Sequence, residues 1–569
     1  MSVLQGGDIL RKVYSAALAV ILESVLLCNQ AYGASGLGMY VNDTSASEQW
    51  ALYNDGTFSI EDEKNRYPVY EDPFGDPAKP GEWRQNEETE LPIGPGYSNE
   101  DSVKNNGTGG GQEGKTGSNP VSEQEKKDLL GVLVQVGKIR AEAGIDINLK
   151  HAWEKYGNGS HDTIVAMIDT GIDIGHEDLS DAIWVNTDEI PGNGIDDDGN
   201  GYIDDVNGWN FYHNNNQVFY GEEDSHGTHS TGTIRAKTGN GLGIAGIIPG
   251  NRVRVMPVKA LGGENGDGGT AGLIRAIRYA EDNGAVICNL SLTSTANDRA
   301  LYLAMKNSSM LFVVAAGNGD ADTGVGVNID ETPYYPAAYD LDNVISVANL
   351  TCDGKLHVSS NYGEKSVDLA APGSYILSTT PGNTYSYMSG TSMAAPMVTG
   401  AAAMVYSYFD GIGVSDVKEI LLSTVTPLES LSGKVSSGGL LNVGAALDYD
   451  ISTLSRSGFQ NGGHRPENGT EPFMEARTRE TEEGLVLTLR VVDIDGDLDT
   501  LLYSKGNVTK EQFVSGEVGE PFKLRANDTA AFIIKGAGVY NFYAADKNGN
   551  GNVYTVKFAN MSEGPGALD

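Results

Sequence analysis

Three segments of the sequence carry an aspartate, a histidine and a serine, the residue types that together perform nucleophilic acyl transfer. Asp169 follows the apolar, β-rich run 163–168, and open α/β sheets place functional side chains at this end of a strand. His226 lies in the segment 224–232, whose small residues let a helix begin close by and leave the imidazole room to reach a nucleophile. An aspartate at a strand end is otherwise a cap or a metal ligand. His226 and His229 could bind metal, but they lack the glutamate of a zinc-binding helix.

Ser392 supplies the hydroxyl of this set. It lies in the segment 388–396, directly before a helix of small residues predicted over 398–406. A hydroxyl at the start of a helix gains from the helix dipole and from backbone N–H groups that can receive developing oxyanion charge. The alternative is a serine that only caps the helix.

Apolar runs typical of strands alternate with helical spacing through residues 144–450. Strands alternating with helices predict an α/β domain in which helices cover both faces of a parallel sheet. The helix predicted over 270–283 shows the periodicity, because Leu273, Ile274, Ile277 and Ala280 fall on one face. The predicted strands are 163–168, 253–258, 285–290 and 311–315.

The pattern changes after Asp450. Residues 451–474 are interpreted as a linker, and 475–569 alternate in short strands without a helical period, which predicts a small all-β, immunoglobulin-like sandwich. Tyr540 enters the last hairpin and predicts a tyrosine corner. The predicted strands are 485–492, 531–534, 539–543 and 552–558.

Charge excludes one class of partner. The 569 residues include 39 Lys and Arg against 77 Asp and Glu, a formal net charge of −38, which argues against binding nucleic acid by neutralising phosphates. The same charge repels anionic membrane surfaces.

The N-terminus has the order of a signal peptide, predicted over 1–33. Arg11 and Lys12 precede the apolar stretch 13–27, and small residues follow at 31–34. Glu23 interrupts the apolar stretch, so a membrane-spanning helix is not expected. The protein is expected to be secreted, or cell-associated if this segment is retained.

Beyond the predicted signal peptide, Cys288 and Cys352 remain. Two cysteines do not make a disulfide framework.

The three catalytic-type segments, with Ala315-Ala316-Gly317-Asn318-Gly319, resemble the motifs of the subtilase family of serine proteases, and of its secreted bacterial members in particular. The resemblance runs from about 144 to 447 and includes 335–339 and 438–443. It implies a secreted serine endopeptidase that forms an acyl-enzyme on Ser392. His226 would be the general base and acid, Asp169 would orient it, and Asn318 would donate to the oxyanion.

The resemblance also implies where an extended peptide would bind. Main-chain pairing is expected with Leu261, Gly262 and Gly263 on one side and with Ser291, Leu292 and Thr293 on the other. Ala316 and Gly317 would line the first specificity pocket, with Tyr334 at its floor. The family commonly has glycine in place of Thr293 and a small residue in place of Tyr334, so a shallow pocket is expected here.

Residues 34–143 allow two interpretations. The segment 42–52 resembles the start of the mature domain in many secreted subtilases, and 59–125 is poor in aliphatic residues and reads as a flexible acidic and Gly-rich insertion. A short helix is predicted over 128–143. The alternative is that 34–140 form a degenerate propeptide.

The acidic segment 196–205 predicts a structural Ca²⁺ site. Side-chain oxygens recur at alternate positions on a tight loop and converge on one point, which suits a hard cation with six or more oxygen ligands. The alternative is a polar hairpin turn. The predicted ligands are Asp196, Asp198, Asn200, the carbonyl of Tyr202, and Asp204 or Asp205.

By the resemblance, Asp178 matches a calcium-ligand aspartate of the family, and Asn240 lies in the loop that would complete a second site. The segments 493–497 and 546–550 are interpreted as hairpin turns rather than ion sites.

The competing class is a catalytically inactive subtilase fold that acts as a binding or adhesion module, which the sandwich would suit. Inactive members usually lose a residue of the triad, and all three are present here. An enzyme acting on protein or peptide substrates is therefore predicted, and a monomer is assumed.

Overall fold

A computed structural model describes residues 43–46, 49–55, 69–71, 75–76, 79–80, 141–263, 266–320, 323–481, 484–525 and 528–558. The predicted signal peptide, most of the predicted insertion and all but the last three residues of the helix predicted over 128–143 lie outside these ranges. Residues 141–143 are not helical.

A mostly parallel sheet organises the chain up to residue 450, which confirms the predicted α/β fold. Nine described strands lie in the order β15-β16-β12-β11-β10-β9-β4-β6-β5, and only the edge strand β15 is antiparallel. The described strands of this part are β1 (Val69–Glu71), β2 (Gly75–Asp76), β3 (Lys79–Pro80), β4 (Thr163–Asp169), β5 (Trp209–Asn210), β6 (Val253–Lys259), β7 (Leu261–Gly262), β8 (Asp267–Gly268), β9 (Ile287–Leu290), β10 (Leu311–Ala315), β11 (Val344–Leu350), β12 (Leu369–Pro372), β13 (Ile376–Thr380), β14 (Thr384–Ser389), β15 (Thr426–Pro427) and β16 (Gly439–Leu440).

Helices cover both faces of this sheet, so β10 and β11 are buried along their whole length. The central helix α5 is buried almost all round and packs against β9, β10, β11 and α2, while α3 packs on β4 and β6 and touches α4. No described helix is both long and apolar enough to span a membrane. The described helices here are α1 (Leu149–Tyr156), α2 (Ser225–Arg235), α3 (Thr270–Asp282), α4 (Arg299–Lys306), α5 (Thr391–Tyr408), α6 (Val414–Ser423) and α7 (Val443–Leu447).

Helix α5 starts earlier than the sequence predicted. It begins at Thr391, so Ser392 lies in its first turn rather than ahead of it. The predicted start was too late because of Pro396. Proline lacks the N–H that would bond to the carbonyl four residues before it, so it usually marks a helix boundary. That carbonyl belongs to Ser392 and accepts the hydroxyl of Ser291 at 3.1 Å instead.

Residues 43–46 and 49–55 pack into the α/β domain. Trp50 is 2% exposed, and its indole donates to the carbonyl of Ser374 at 3.1 Å. The backbone N–H of Gly144 donates to the carbonyl of Asn54 at 2.9 Å. Residues 54 and 144 therefore lie side by side, and β1, which lies between them in the sequence, pairs in parallel with β14 of the same domain.

The C-terminal region forms a small all-β sandwich, as predicted. Two antiparallel sheets, β17-β18-β21 and β20-β19-β22-β23, enclose a core that includes Leu487, Leu489 and Phe542. The Tyr540 hydroxyl donates to the carbonyl of Gly536 at 3.0 Å, the local bond of a tyrosine corner. The elements are β17 (Phe473–Thr481), β18 (Gly484–Val492), β19 (Leu498–Lys505), α8 (Lys510–Val514), β20 (Glu520–Pro521), β21 (Thr529–Ile534), β22 (Gly538–Asp546) and β23 (Gly551–Phe558).

Candidate active site

Asp169 and His226 meet at the carboxyl end of the sheet. Asp169 is the last residue of β4, and His226 lies in the first turn of α2. The Nδ1 atom of His226 lies 2.7 Å from Oδ1 of Asp169, and both side chains are about 1% exposed. A carboxylate can only accept, so Nδ1 carries the proton and Nε2 is the basic nitrogen.

This contact is possible because the backbone of α2 lies very close to the residues that follow β4. A Cβ added to Gly227 would lie 2.2 Å from the carbonyl oxygen of Gly171. Any side chain at position 227 would push α2 away from the end of β4. The glycine after His226 is therefore part of the geometry that joins the imidazole to Asp169.

The second histidine of this segment, His229, does not join a metal cluster with His226. Its Nε2 atom lies 2.9 Å from the carbonyl oxygen of Ile376, and the ring is fully buried. Burial lowers the pKa of His229 to about 3, so the ring is neutral at ordinary pH. It holds α2 to β13.

Ser392 lies at the head of α5 and is 2% exposed. Its hydroxyl donates to the carbonyl of Ser291 at 3.4 Å, which is a long contact. Ser291 thus touches Ser392 twice, through its carbonyl and through the hydroxyl already described. From the sequence, Ser291 is expected only to pair with substrate.

Asn318 is held by its carbonyl end. Its Oδ1 atom accepts the backbone N–H of Thr391 at 2.7 Å and the Thr391 hydroxyl at 3.0 Å. Thr391 also accepts the N–H of Gly317 at 3.1 Å. Because Oδ1 is fixed, the donor end of the amide, Nδ2, is fixed as well. Thr391 was missed because only the folded contact, and no spacing, connects it to Asn318.

The two expected substrate strands flank this site and are mostly buried. Leu261 and Gly262 form β7, and Gly263 follows with a left-handed φ of 72°. A Cβ added to Gly262 would lie 2.5 Å from Cδ1 of Tyr212, so the ring of Tyr212 packs directly against the backbone of β7. On the other side Ser291, Leu292 and Thr293 continue β9 and are 1%, 3% and 7% exposed.

Tyr334, the residue expected at the pocket floor, is buried next to the segment 317–319. It is 7% exposed, and its hydroxyl donates to the carbonyl of Gly319 at 3.2 Å. A Cβ added to Gly317 would lie 3.4 Å from Cδ1 of Tyr334. Ala316 beside them is fully buried. The ring therefore lies directly against the segment that carries Asn318.

A buried lysine that the sequence analysis missed lies beside the aspartate. Lys259 is the residue of β6 in register with Asp169, and its ammonium is fully buried. It donates to Oδ1 of Asp224 at 2.6 Å, to Glu223 at 3.0 Å and to the carbonyl of Thr170. This single cation joins the strand that ends at Asp169 to the residues just before α2.

The acidic loop, residues 186–205, brings three carboxylates together. Ligand atoms of Glu189, Asp198 and Asp205 lie within 4.8 Å of one another, the described group that could hold a metal ion. Asn186 donates to Asp198 at 2.9 Å and to Asp205 at 3.0 Å, and Asn200 donates to the same two at 3.0 and 3.1 Å. Burial raises the pKa of Asp205.

Two other predicted ligands of this loop, Asp196 and Asp204, use their carboxylates in local hydrogen bonds. The carboxylate of Asp196 accepts the N–H groups of Asn200 and Gly201, and that of Asp204 accepts those of Asn193 and Gly194. These two carboxylates close backbone turns. The ring of Tyr202, whose carbonyl remains a predicted ligand, packs edge-on against Trp209, Phe211 and Tyr279. Glu189 was missed because it precedes the acidic run by seven residues and reaches it only through the loop's fold.

Asp178 and Asn240 do meet, together with an unexpected third residue. Asn240 donates to Oδ1 of Asp178 at 2.7 Å, and Asp178 is fully buried. Burial raises the pKa of Asp178 to about 6, and the nearby charge of Asp43 adds to this. Asp43 accepts the N–H groups of Gly239, Asn240 and Gly241 at 2.8–3.2 Å.

Comparison with known proteins identifies the α/β domain. The subtilase family model matches residues 160–445. The major intracellular serine protease of Bacillus subtilis (strain 168) is 36% identical over 285 residues, which cover 48% of this chain and 80% of that protein. Thermitase of Thermoactinomyces vulgaris is 32% identical over 312 residues, covering 53% of this chain and 94% of that protein. The thermophilic serine proteinase of Bacillus sp. (strain AK1) is 33% identical over 302 residues, which cover 52% of this chain and 65% of that protein.

Proposed function

Because this chain belongs to the subtilase family and is therefore a serine-type endopeptidase, we propose that Asp169, His226 and Ser392 form its catalytic triad. The contact of 2.7 Å between Asp169 and His226, buried at the head of α2, is the observation that carries the assignment. Ser392 lies at the head of α5, which packs against α2. The three residues thus come from elements that the core holds rigid.

In the proposed mechanism, Nε2 of His226 takes the proton of the Ser392 hydroxyl as Oγ attacks the scissile carbonyl. Collapse of the tetrahedral intermediate breaks the C–N bond, and His226 gives the proton to the leaving amine. Water then attacks the acyl-enzyme by the reverse proton path and releases the acid. Asp169 keeps the ring in the required tautomer and stabilises the imidazolium.

Asn318 is the proposed oxyanion donor. The fixed position of its Oδ1 on Thr391 supports this, because the amide nitrogen is then held before substrate arrives. A donor that needs no reorganisation during the reaction stabilises developing charge more than water does.

An extended peptide would pair with 261–263 on one side and with 291–293 on the other. Tyr334, buried against Gly317, supports a shallow first pocket. The proposed substrates are therefore proteins or peptides with a small residue before the cut.

We also propose one structural Ca²⁺ in the acidic loop, held by the carboxylates of Glu189, Asp198 and Asp205. The amide N–H groups of Asn186 and Asn200 donate to two of these carboxylates and hold them in place. Three carboxylates in one cluster repel one another, and a hard cation with oxygen ligands removes that repulsion. A second Ca²⁺ at Asp178 and Asn240 rests on the family pattern and on the buried charge described above. The ions would stabilise the fold and take no part in acyl transfer.

Export from the cell is a proposal from the N-terminal sequence alone, from Arg11, Lys12 and the apolar stretch 13–27. One relative is named an intracellular protease. That name describes the location of the relative and is not applied to this chain.

The first prediction tests the triad. Ser392→Ala and His226→Ala should each lower kcat by about ten-thousandfold or more, and the double variant should be no worse than either, because the pair acts as a unit. A fluorophosphonate probe should label the wild type and not Ser392→Ala. Full activity in either single variant would contradict the assignment.

The second prediction concerns the oxyanion donor. Asn318→Ala should lower kcat by about a hundredfold and leave KM nearly unchanged, because the amide contacts charge that exists only in the transition state. Thr391→Val, which removes one of the two bonds that fix Oδ1, should lower kcat by less. Steady-state kinetics would reject this role if either change acted mainly on KM.

The third prediction concerns Tyr334. Tyr334→Ala opens the pocket floor and should raise the preference for Phe over Ala before the cut by about tenfold or more. Tyr334→Phe keeps the ring, loses the hydroxyl that bonds to Gly319, and is the matched control. Peptide-library profiling measures both, and an unchanged preference in Tyr334→Ala would show that the ring does not limit the pocket.

The fourth prediction concerns calcium. A chelator should lower the melting temperature of the wild type, since an ion bound only by the native state stabilises it by about 2.7 kcal/mol at a hundred times Kd. Glu189→Gln with Asp198→Asn should reduce bound calcium by one ion per chain and weaken the chelator effect. Activity assayed immediately, well below the melting temperature, should change little.

Asp196→Asn is the matched control for that experiment. Its carboxylate only closes a turn, so the bound calcium should keep its wild-type stoichiometry. Elemental analysis and calorimetric titration give the stoichiometry. A wild type whose melting curve ignores the chelator would contradict the calcium proposal.

A further inference from the structure

The sandwich docks on the two helices that follow the substrate strands. The chain passes from 261–263 into α3 and from 291–293 into α4. Arg278 of α3 lies 3.6 Å from Asp495, and Arg275 of the same helix lies 3.2 Å from Asp528. Asp298, the N-cap of α4, lies 3.1 Å from Arg490 of β18. Both walls of the peptide cleft therefore continue into elements that the sandwich touches.

Arg490 makes the most buried of these contacts. One nitrogen, Nη1, donates to Asp298 at 3.1 Å and to Glu475 at 3.0 Å. Arg490, Asp298 and Glu475 are each 6–8% exposed. Glu475 is the cross-strand neighbour of Arg490, so the sandwich presents a ready-made pair to the other domain. A buried carboxylate that loses its partner carries a large desolvation penalty, so this contact fixes the position of Asp298.

Asp298 in turn is tied to its surroundings by every oxygen. Oδ1 accepts the N–H groups of Ala300 and Leu301 at 2.8 and 3.1 Å, which starts α4, while Oδ2 faces Arg490. Its backbone carbonyl accepts the hydroxyl of Tyr339 at 2.8 Å. The aspartate thus joins the sandwich, α4 and the segment that carries Tyr339.

Tyr339 connects Asp298 to the proposed pocket. Its ring lies 4.9 Å from the ring of Tyr335, centroid to centroid. Tyr335 exchanges two backbone hydrogen bonds of 2.7 Å with Ser294, the residue after the substrate strand. Tyr334, the proposed pocket floor, precedes Tyr335. The segment 294–298 is therefore fixed at one end by the pocket and at the other by Arg490.

We propose that the sandwich is a positioning domain for the substrate cleft, and that Arg490 acts through Asp298 to hold the 291–293 wall and the floor at Tyr334. The inference rests on the proposed substrate strands. The triad lies on β4, α2 and α5, none of which carries Arg490 or Asp298. Loss of Arg490 therefore weakens peptide binding and leaves the reactivity of Ser392 unchanged.

The experiment uses the full chain and an internally quenched peptide that the wild type cleaves. Arg490→Met should raise KM about five- to tenfold, with kcat and the rate of fluorophosphonate labelling within about twofold of wild type. Asp298→Asn, which keeps the oxygen that caps α4, should raise KM in the same direction. The assay temperature lies below the melting transition of every variant.

Two variants serve as controls. Arg490→Lys should keep a wild-type KM, because a single nitrogen makes both of the arginine's contacts and an ammonium can replace it. Arg275→Met removes a half-exposed ion pair at the same interface and should also leave KM unchanged.

A wild-type KM in both Arg490→Met and Asp298→Asn would overturn the proposal, and so would equal increases in Arg275→Met and Arg490→Met. Failure of the proposed function would look different: the wild type would neither cleave peptides nor be labelled at Ser392.

Discussion

The contact between the head of α2 and the end of β4 is the constraint on which the site depends. Because Gly227 has no side chain, the backbone of α2 packs directly against the backbone of Gly171. This close packing places the imidazole of His226 2.7 Å from Asp169. Both side chains are out of water, where a charged hydrogen bond is stronger than at the surface. Any loss of this approach would leave a buried carboxylate without its partner, so the local packing and the chemistry depend on the same glycine.

Two buried groups of carboxylates in the described structure are each neutralised by a single cation. Near the triad, Asp224 is neutralised by Lys259, and at the domain interface Asp298 and Glu475 share Arg490. A chain with net charge −38 has few cations for this purpose. Where carboxylates gather without lysine or arginine, as in the acidic loop, the proposed Ca²⁺ would offset their repulsion.

The sequence predicted the local parts of this structure well and the long-range parts poorly. The strand that ends at Asp169 was predicted to within one residue, because its apolar run is continuous. Thr391 and Glu189 were missed, since each meets its partners only after the chain has folded. The start of α5 was placed seven residues late, because Pro396 resembles a helix boundary.

Helix α3 unites the two accessory features of the protein. On one side the hydroxyl of Tyr279 donates to Asp205 of the acidic loop at 2.6 Å, and on the other Arg275 and Arg278 face the sandwich. Strand β7, one wall of the proposed cleft, leads into this helix. The triad needs neither feature, because the core alone holds its elements, whereas the cleft walls lie between the sheet and the outer helices. In our proposals the acidic loop therefore stabilises the fold, while the sandwich supports substrate binding rather than the reacting atoms.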